Sequence, residues 1–293
     1  MALSLILFVG LFQNTYTVMT PPANGATWQI QITHPPVNTA YDVAVYDIDM
    51  FQAAKNTSLI STLHSQGKDV ICYFSVGTRE PWRDENAKSE VAKPGRHSMT
   101  KGVSSTRLWF DTTEKIVRAG MATRIQRASA IGCDAIDPDN VDTYDNDTGF
   151  NSNPVNKTKD QDTAVDYLNF LYTQTQKHGI AMGLKNAGDI IDRVLDKVAF
   201  QVNENCANFT ECGTFQKFID AKKPVFHIEY PNYVMNGTAL TEGERDRLCS
   251  DAAEKGTDPT SKGADGFSTL LKTFDLDEWF DNCQGNAVQP PPA

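Results

Sequence analysis

No stretch of the 293-residue chain is apolar over the roughly 20 positions that a membrane-spanning helix needs. Ala2–Phe12 is the one notable apolar run, and it is much shorter. The chain has no Gly-x-x-x-x-Gly-Lys phosphate loop, no Gly-x-Ser-x-Gly elbow and no Gly-x-Gly-x-x-Gly turn after any apolar run. Its five histidines are scattered without a His-x-x-x-His pair, and its cysteines lack Cys-x-x-Cys spacing, so a zinc site has little support. Basic residues are also scarce. Twenty-seven Lys and Arg stand against 37 Asp and Glu, a net charge of −10, which argues against nucleic acid and suits a neutral or cationic partner. With 40% hydrophobic and 22% charged residues, the composition is that of a soluble globular protein.

Three features bear on the compartment. Ala2–Phe12, followed by small residues such as Thr15 and Thr17, has the length of a signal-peptide core. It departs from the usual pattern because no Lys or Arg precedes Lys55, and a buried helix or strand is the other reading. Six cysteines allow three disulfides in 15 pairings, with buried free thiols as the alternative. Cys206 and Cys212 lie close enough in sequence for a small bridged loop; Cys72–Cys133 and Cys249–Cys283 are the further pairs expected. Five Asn-x-Ser/Thr sequons, at Asn56, Asn146, Asn156, Asn208 and Asn236, suit a glycosylated protein. Together these features predict secretion, with residues 1–18 as signal peptide, 27–283 as the folded domain and 284–293 as a flexible Pro-rich tail.

After an opening segment, Trp28–Ile32, short apolar runs recur at Val43–Asp49, Val70–Val76, Leu108–Asp111, Ala135–Asp139, Ile180–Lys185, Phe200–Asn203, Val225–Tyr230 and Gly266–Leu271. Most are rich in β-branched or aromatic residues, as buried strands are. Helix-compatible stretches lie between them. Thr113–Ile131 is one, Asp160–His178 ends at a Gly179 stop, and Thr241–Lys255 opens with capping-box spacing between Thr241 and Glu244. Eight strands alternating with helices predict an α/β fold, a single (β/α)8 TIM barrel. A doubly wound open sheet is the competing architecture.

Acidic residues stand where the strands end. Asp134–Asp147 holds six aspartates, and no Lys or Arg occurs from Ala128 to Asn156. A solvated turn accounts for Asp145 and Asp147. A calcium loop is disfavoured because the EF-hand glycine and closing Glu are missing. Asp137 and Asp139 share one face of an apolar strand by period-two spacing. Asp47 and Asp49, Lys185 and Asn186, Glu204, and Glu229 close other strands. In a barrel such ends meet at one mouth, where a carboxylate pair could flank a glycosidic bond. Tyr46, Tyr73, Trp82, Tyr144 and Tyr230 are candidates for stacking on sugar faces, although aromatics are also ordinary core material.

The runs Val43–Asp49, Val70–Gly77, Gly132–Asp142, Gly183–Asn186 and Val202–Cys206 together resemble glycoside hydrolase family 114, the secreted endo-α-1,4-polygalactosaminidases and spherulin-4-like proteins. The resemblance implies a barrel that hydrolyses α-1,4-linked galactosamine in microbial exopolysaccharide without metal or cofactor. It maps the catalytic acids, an Asp after strand 4 and a Glu after strand 6, onto Asp139 and Glu204. Two departures stand out: the loop Asn151–Lys159 is longer than the usual pattern, and the family's Glu-Pro-Asp-Asn reads Asp137-Pro138-Asp139-Asn140 here. Asp139, beside Lys185, is the expected nucleophile of a retaining mechanism, and Glu204, following an apolar strand, the expected acid/base. Asp47, Asp49, Tyr73, Asp137, Asp142, Lys185, Asn186, Glu229 and Tyr230 are expected to bind substrate, their acids making a negative groove for a cationic polysaccharide. The protein is expected to act as a monomer. Competing readings are a non-catalytic carbohydrate-binding or cell-wall protein on the same barrel, and a hydrolase of a neutral galactose-containing polymer.

Overall fold

Short runs rich in Val, Ile, Phe and Tyr become strands buried on both faces, the pattern of a parallel sheet covered by helices. A computed structural model describes residues 22–80, 83, 108–146, 148–152, 156–231, 241–251, 254, 256 and 260–283. The expected signal peptide, the tail, Trp82 and the Asn236 sequon lie outside the described residues. In chain order the strands are β1 (Trp28–Gln31), β2 (Val45–Asp49), β3 (Asp69–Ser75), β4 (Thr78–Arg79), β5 (Leu108–Trp109), β6 (Ala135–Asp139), β7 (Ala181–Lys185), β8 (Phe200–Glu204), β9 (Val225–Glu229), β10 (Ser268–Leu271) and β11 (Asp281–Asn282). Nine of them form one sheet in the order β1-β2-β3-β6-β7-β8-β9-β10-β11, in which every pairing is parallel except β10 with β11. The sheet curls into the (β/α)8 barrel.

The first barrel strand is the opening segment Trp28–Gln31, whereas Leu108–Asp111 is not a barrel strand. Leu108 and Trp109 instead pair antiparallel with Thr78 and Arg79 in a two-stranded ribbon, tied to the end of β3 by Phe110 N–H donating to the Gly77 carbonyl at 2.8 Å. Side chains bridge the seam between β1 and β10. Trp28 Nε1 donates to the Ser268 carbonyl at 2.7 Å, Lys272 Nζ to Gln29 Oε1 at 3.1 Å, and Gln29 Nε2 to the Glu278 carbonyl at 2.9 Å.

The long helices follow their caps. Lys157–His178 begins where Asn156 Oδ1 accepts from the Lys159 amide at 3.1 Å. It stops at Gly179, whose φ of 69° a side-chain-bearing residue adopts only with strain. Ala164, Tyr167, Leu168, Leu171 and Thr175 form its buried stripe at helical spacing. In the helix Glu242–Ser250, Thr241 and Glu244 make the expected capping box.

All three expected disulfides are present, with Cα separations of 5.9 Å for Cys72–Cys133, 4.8 Å for Cys206–Cys212 and 5.5 Å for Cys249–Cys283. Cys72 and Cys133 are 61 residues apart and close the largest of the three loops. Loop-closure entropy makes this bridge worth about 4 kcal/mol. Replacing both residues by Ser should lower Tm by roughly 10 °C in a calorimetric scan. A change within a degree or two would show that the bridge contributes little.

Candidate active site

Three neighbouring strands deliver the central side chains. Asp139 ends β6, Lys185 ends β7 and Glu204 ends β8. Each is followed by an asparagine in the left-handed region: Asn140 at φ 63°, Asn186 at φ 47° and Asn205 at φ 64°. Asparagine tolerates this conformation better than most residues, so the backbone can turn away at once and leave the preceding side chain at the barrel mouth. The turns are held in place. Asn140 Oδ1 accepts from Ser75 Oγ at 2.8 Å and Thr78 Oγ1 at 3.0 Å, and Asn186 Oδ1 accepts from the Glu204 amide at 2.9 Å. Gly77 is needed beside Asn140, because a Cβ there would lie 1.7 Å from the Asn140 carbonyl oxygen.

Lys185 is the hub. Its Nζ lies 3.5 Å from Asp139 Oδ1, 3.3 Å from Glu204 Oε2 and 3.7 Å from Asp137 Oδ2, while its side chain is only 3% exposed. Burial opposes its charge, but Asp139, Glu204 and Asp137 together hold the ammonium protonated well above the ordinary lysine range. The shared ammonium keeps the two facing oxygens of Asp139 and Glu204 within about 7 Å of each other. That bound covers the separation of about 5–5.5 Å in retaining glycosidases and the lower end of the inverting range, about 6.5–9.5 Å. Each carboxylate also accepts from a phenol: Tyr73 Oη donates to Asp139 Oδ2 at 2.8 Å, and Tyr230 Oη to Glu204 Oε1 at 2.5 Å.

These groups line a cleft of about 570 Å³ with Asn140, Asp142, Asn186, Asn205, Phe209, Phe274 and Asp275. Phe209 and Phe274 are 65% and 57% exposed, and Phe274 stacks on Tyr230 at 4.7 Å between ring centroids. Exposed rings beside polar groups are natural platforms for a sugar face. A second cavity of about 280 Å³ adjoins the cleft, sharing Asp142, Asn186, Glu204 and Phe209 and adding Asp145, Asp189 and Glu211. Glu204 therefore stands between two spaces, whereas Asp139 faces only the larger.

Several expected substrate contacts lie elsewhere. Glu229 is buried and faces the back of the sheet, where it accepts from the Ala207 amide at 2.7 Å and contacts His227 Nε2 at 2.9 Å. The residues alternating with it, Phe226 and Ile228, share the parity of Tyr230, and Phe226 packs inside the barrel on Trp28 and Phe200. Asp49 is taken by Arg83, at 2.9 and 2.5 Å, and by the Gln52 amide. Asp47 and Asp137 are fully buried beneath the cleft rather than on its wall. The expected negative groove thus rests on Asp139, Asp142, Glu204 and Asp275, and only Asp142 among these was an expected groove acid. Tyr46 is buried and donates to the Asn38 carbonyl, and Tyr144 is buried outside the cleft lining. Asn151 and Ser152 of the long loop, with Lys159 in the first turn of the helix Lys157–His178, line a separate cavity of about 220 Å³. The strand-end pattern missed Asn205, Phe209, Phe274 and Asp275; Phe209 ends the short helix Cys206–Phe209, and the others occupy loops.

Burial and the nearby Asp139 raise Asp142 to about 6. Between the ordinary aspartate value of about 4 and 6, the native state binds more protons than the unfolded chain, so Asp142 costs stability as pH rises through that window. Asp142→Asn should therefore raise Tm at about pH 8 and hardly move it at about pH 4. An equal shift at both values would contradict this.

No functionally curated protein matches the chain by sequence. Among solved structures, it is similar to Ega3 of Aspergillus fumigatus, crystallised in complex with galactosamine: 34% identity over 92% of this chain and 100% of that one, TM-score 0.77. The glycoside hydrolase domain of PelA from Pseudomonas aeruginosa shares the fold at 14% identity, over 87% of this chain and 97% of that one, TM-score 0.63. The model of glycoside hydrolase family GH114 matches residues 11–288, spanning the barrel, Asp139, Lys185 and Glu204, and the chain belongs to that family of glycoside hydrolases.

Proposed function

We propose that this hydrolase cleaves α-1,4-linked galactosamine polymer endo-wise and outside the cell, with Asp139 as nucleophile and Glu204 as acid/base of a retaining mechanism. The observation that carries the reading is the pairing of Asp139 and Glu204 on one ammonium, Lys185, in the wall of the cleft. In this reaction Glu204 protonates the leaving oxygen while Asp139 attacks the anomeric carbon, and Glu204 then takes a proton from the water that releases the sugar. The position of Glu204 between two cavities supports the acid/base role, because that group must reach both the departing sugar and incoming water. Asp139, behind it and held by Tyr73, has only the larger cavity before it.

The acids of the cleft support a cationic substrate, and Ega3, crystallised with galactosamine, is the relative that points to the sugar. Asp145, Asp189 and Glu211 extend the negative wall into the second cavity, with Lys157 bridging Asp145 at 2.9 Å and Asp189 at 2.6 Å. Three disulfides and the exposed sequon residues Asn56, Asn156 and Asn208 support secretion. Among the described residues no helix is long and apolar enough to cross a membrane.

Raising ionic strength from about 0.1 M to about 1 M shortens the screening length from about 10 Å to about 3 Å. KM for deacetylated polymer should then rise several-fold, while KM for any acetylated substrate should hardly change. Salt-independent kinetics on the deacetylated polymer would favour the neutral-glycan reading.

A further inference from the structure

Beneath Lys185 lie two carboxyl groups that the proposed mechanism does not use. Asp47, on β2, and Asp137, on β6, are both 0% exposed, and they face each other in the barrel interior. Among the described residues, none of their four carboxyl oxygens has a donor at ordinary hydrogen-bond distance; Lys185 reaches Asp137 only at long range, and the two carboxyl groups otherwise meet each other. The cation near them is Lys185, 3.7 Å from Asp137 Oδ2. Two bare carboxylates in this position would be severely penalised, because a buried charge needs both a counter-charge and hydrogen-bond donors. A single proton meets both needs. It neutralises one group and supplies the O–H that the other lacks.

We propose that Asp47 and Asp137 share one proton and act as positioning residues, with Asp47 as the protonated donor and ionised Asp137 drawing Lys185 down from below the catalytic pair. This rests on the reading of Asp139 and Glu204 as that pair. The order within the dyad follows from distance to the cation, since the charge belongs on the carboxylate nearest the ammonium. The charged and titratable groups facing Asp137 are Lys185 on β7, Asp139 on its own strand, Glu204 on β8 and Asp47 on β2; those facing Asp47 are Asp137, Lys185 and Asp139. Burial first, and Asp137 second, push Asp47 well above the usual carboxylate range. Burial raises Asp137 to about 7 while Lys185 pulls the other way. Asp137 anchors the ammonium from beneath, so that Lys185 cannot collapse onto Asp139 or Glu204 alone and stays shared between them.

Infrared spectroscopy of the intact protein at about pH 8 tests the proton directly, since ordinary carboxyls are ionised there and so are Asp142 and Asp251, each raised only to about 6. A protonated carboxyl carbonyl band that shifts in heavy water should be present in the native enzyme, persist in Glu204→Gln, where the acid/base proton is gone, and lose intensity in Asp47→Asn. No such band in the native enzyme, or one that Glu204→Gln abolishes and Asp47→Asn leaves at full intensity, would overturn the proposal. The native spectrum stands even if a variant misfolds, and it is independent of hydrolysis, so loss of the catalytic reading and loss of the dyad are told apart. Kinetics supply the second readout. The amide of Asp47→Asn still donates to Asp137, whereas Asp137→Asn removes the charge beneath Lys185. Asp137→Asn should therefore lower kcat at least about tenfold more than Asp47→Asn does, with KM changed less than about threefold in either. Equal losses in kcat, or losses expressed in KM, would also overturn it.

Discussion

Asp139→Asn and Glu204→Gln should each reduce kcat by about 10³–10⁴-fold while leaving the circular dichroism spectrum unchanged. Both residues sit at strand ends on the wall of the cleft, so neither substitution opens a cavity in the core. In the Asp139→Asn enzyme the Tyr73 hydroxyl still finds an oxygen acceptor, and in Glu204→Gln the Tyr230 hydroxyl does likewise. What disappears is chemistry. An amide at position 139 cannot form the glycosyl ester, and an amide at position 204 cannot protonate the leaving oxygen. Azide added to the Glu204→Gln enzyme should restore turnover of an activated substrate, because a small anion can stand in for water once no leaving-group proton is needed. That enzyme should release the α-glycosyl azide, because azide attacks the glycosyl ester on Asp139 from the opposite face; an α-azide formed by Asp139→Asn instead would reverse the assigned roles. NMR of the first product should show the α anomer, and the β anomer would contradict retention even with both residues essential.

The second large effect concerns Lys185. Lys185→Met keeps the approximate length of the side chain but leaves Asp137, Asp139 and Glu204 without their shared cation. Removing one partner from a buried ionic cluster costs about 3–5 kcal/mol. The loss should be strongly pH-dependent. Without Lys185, the native carboxyl groups bind protons more tightly than in the unfolded chain, where they titrate near about 4. Above that value the native state therefore holds the extra protons, and the stability of the variant falls as pH rises. The Tm deficit of Lys185→Met should be small at about pH 4 and largest at about pH 8. A deficit of constant size would mean that Lys185 contributes packing and little charge balance.

Much of this site was legible because strand ends carry it. The pairs Asp139-Asn140, Lys185-Asn186 and Glu204-Asn205 stand at those ends, and each Asn provides the left-handed turn that exposes the residue before it. The fold was legible for a related reason, since short β-branched runs between amphipathic stretches bury on both faces. Apolar content reports burial but not the neighbour that provides it. Trp109 and Phe110 are buried as expected of a strand, yet against the end of β3 beside a ribbon, while Trp28–Gln31 takes the first barrel position. Glu229 was misplaced because a strand-end position says nothing about which face the side chain takes. The alternation of Phe226, Ile228 and Tyr230 would have put it on the back of the sheet. Asp47 was placed on the correct strand but at the wrong depth, since depth depends on the stagger of neighbouring strands around the barrel. Phe209 and Phe274 had no periodic signal at all. Phe209 ends a short helix just beyond Glu204 and Phe274 stands in a loop just beyond β10, where only the assembled barrel brings them over the same cleft.

Digestion of defined α-1,4-linked oligomers of galactosamine, in matched free-amine and fully N-acetylated sets, tests the account most directly. Mass spectrometry should show internal cleavage of the free-amine set by the native enzyme and none by Asp139→Asn or Glu204→Gln. Cleavage confined to the acetylated set, or cleavage of the free-amine set that survives both substitutions, would contradict the assignment of a cationic substrate to this carboxylate pair.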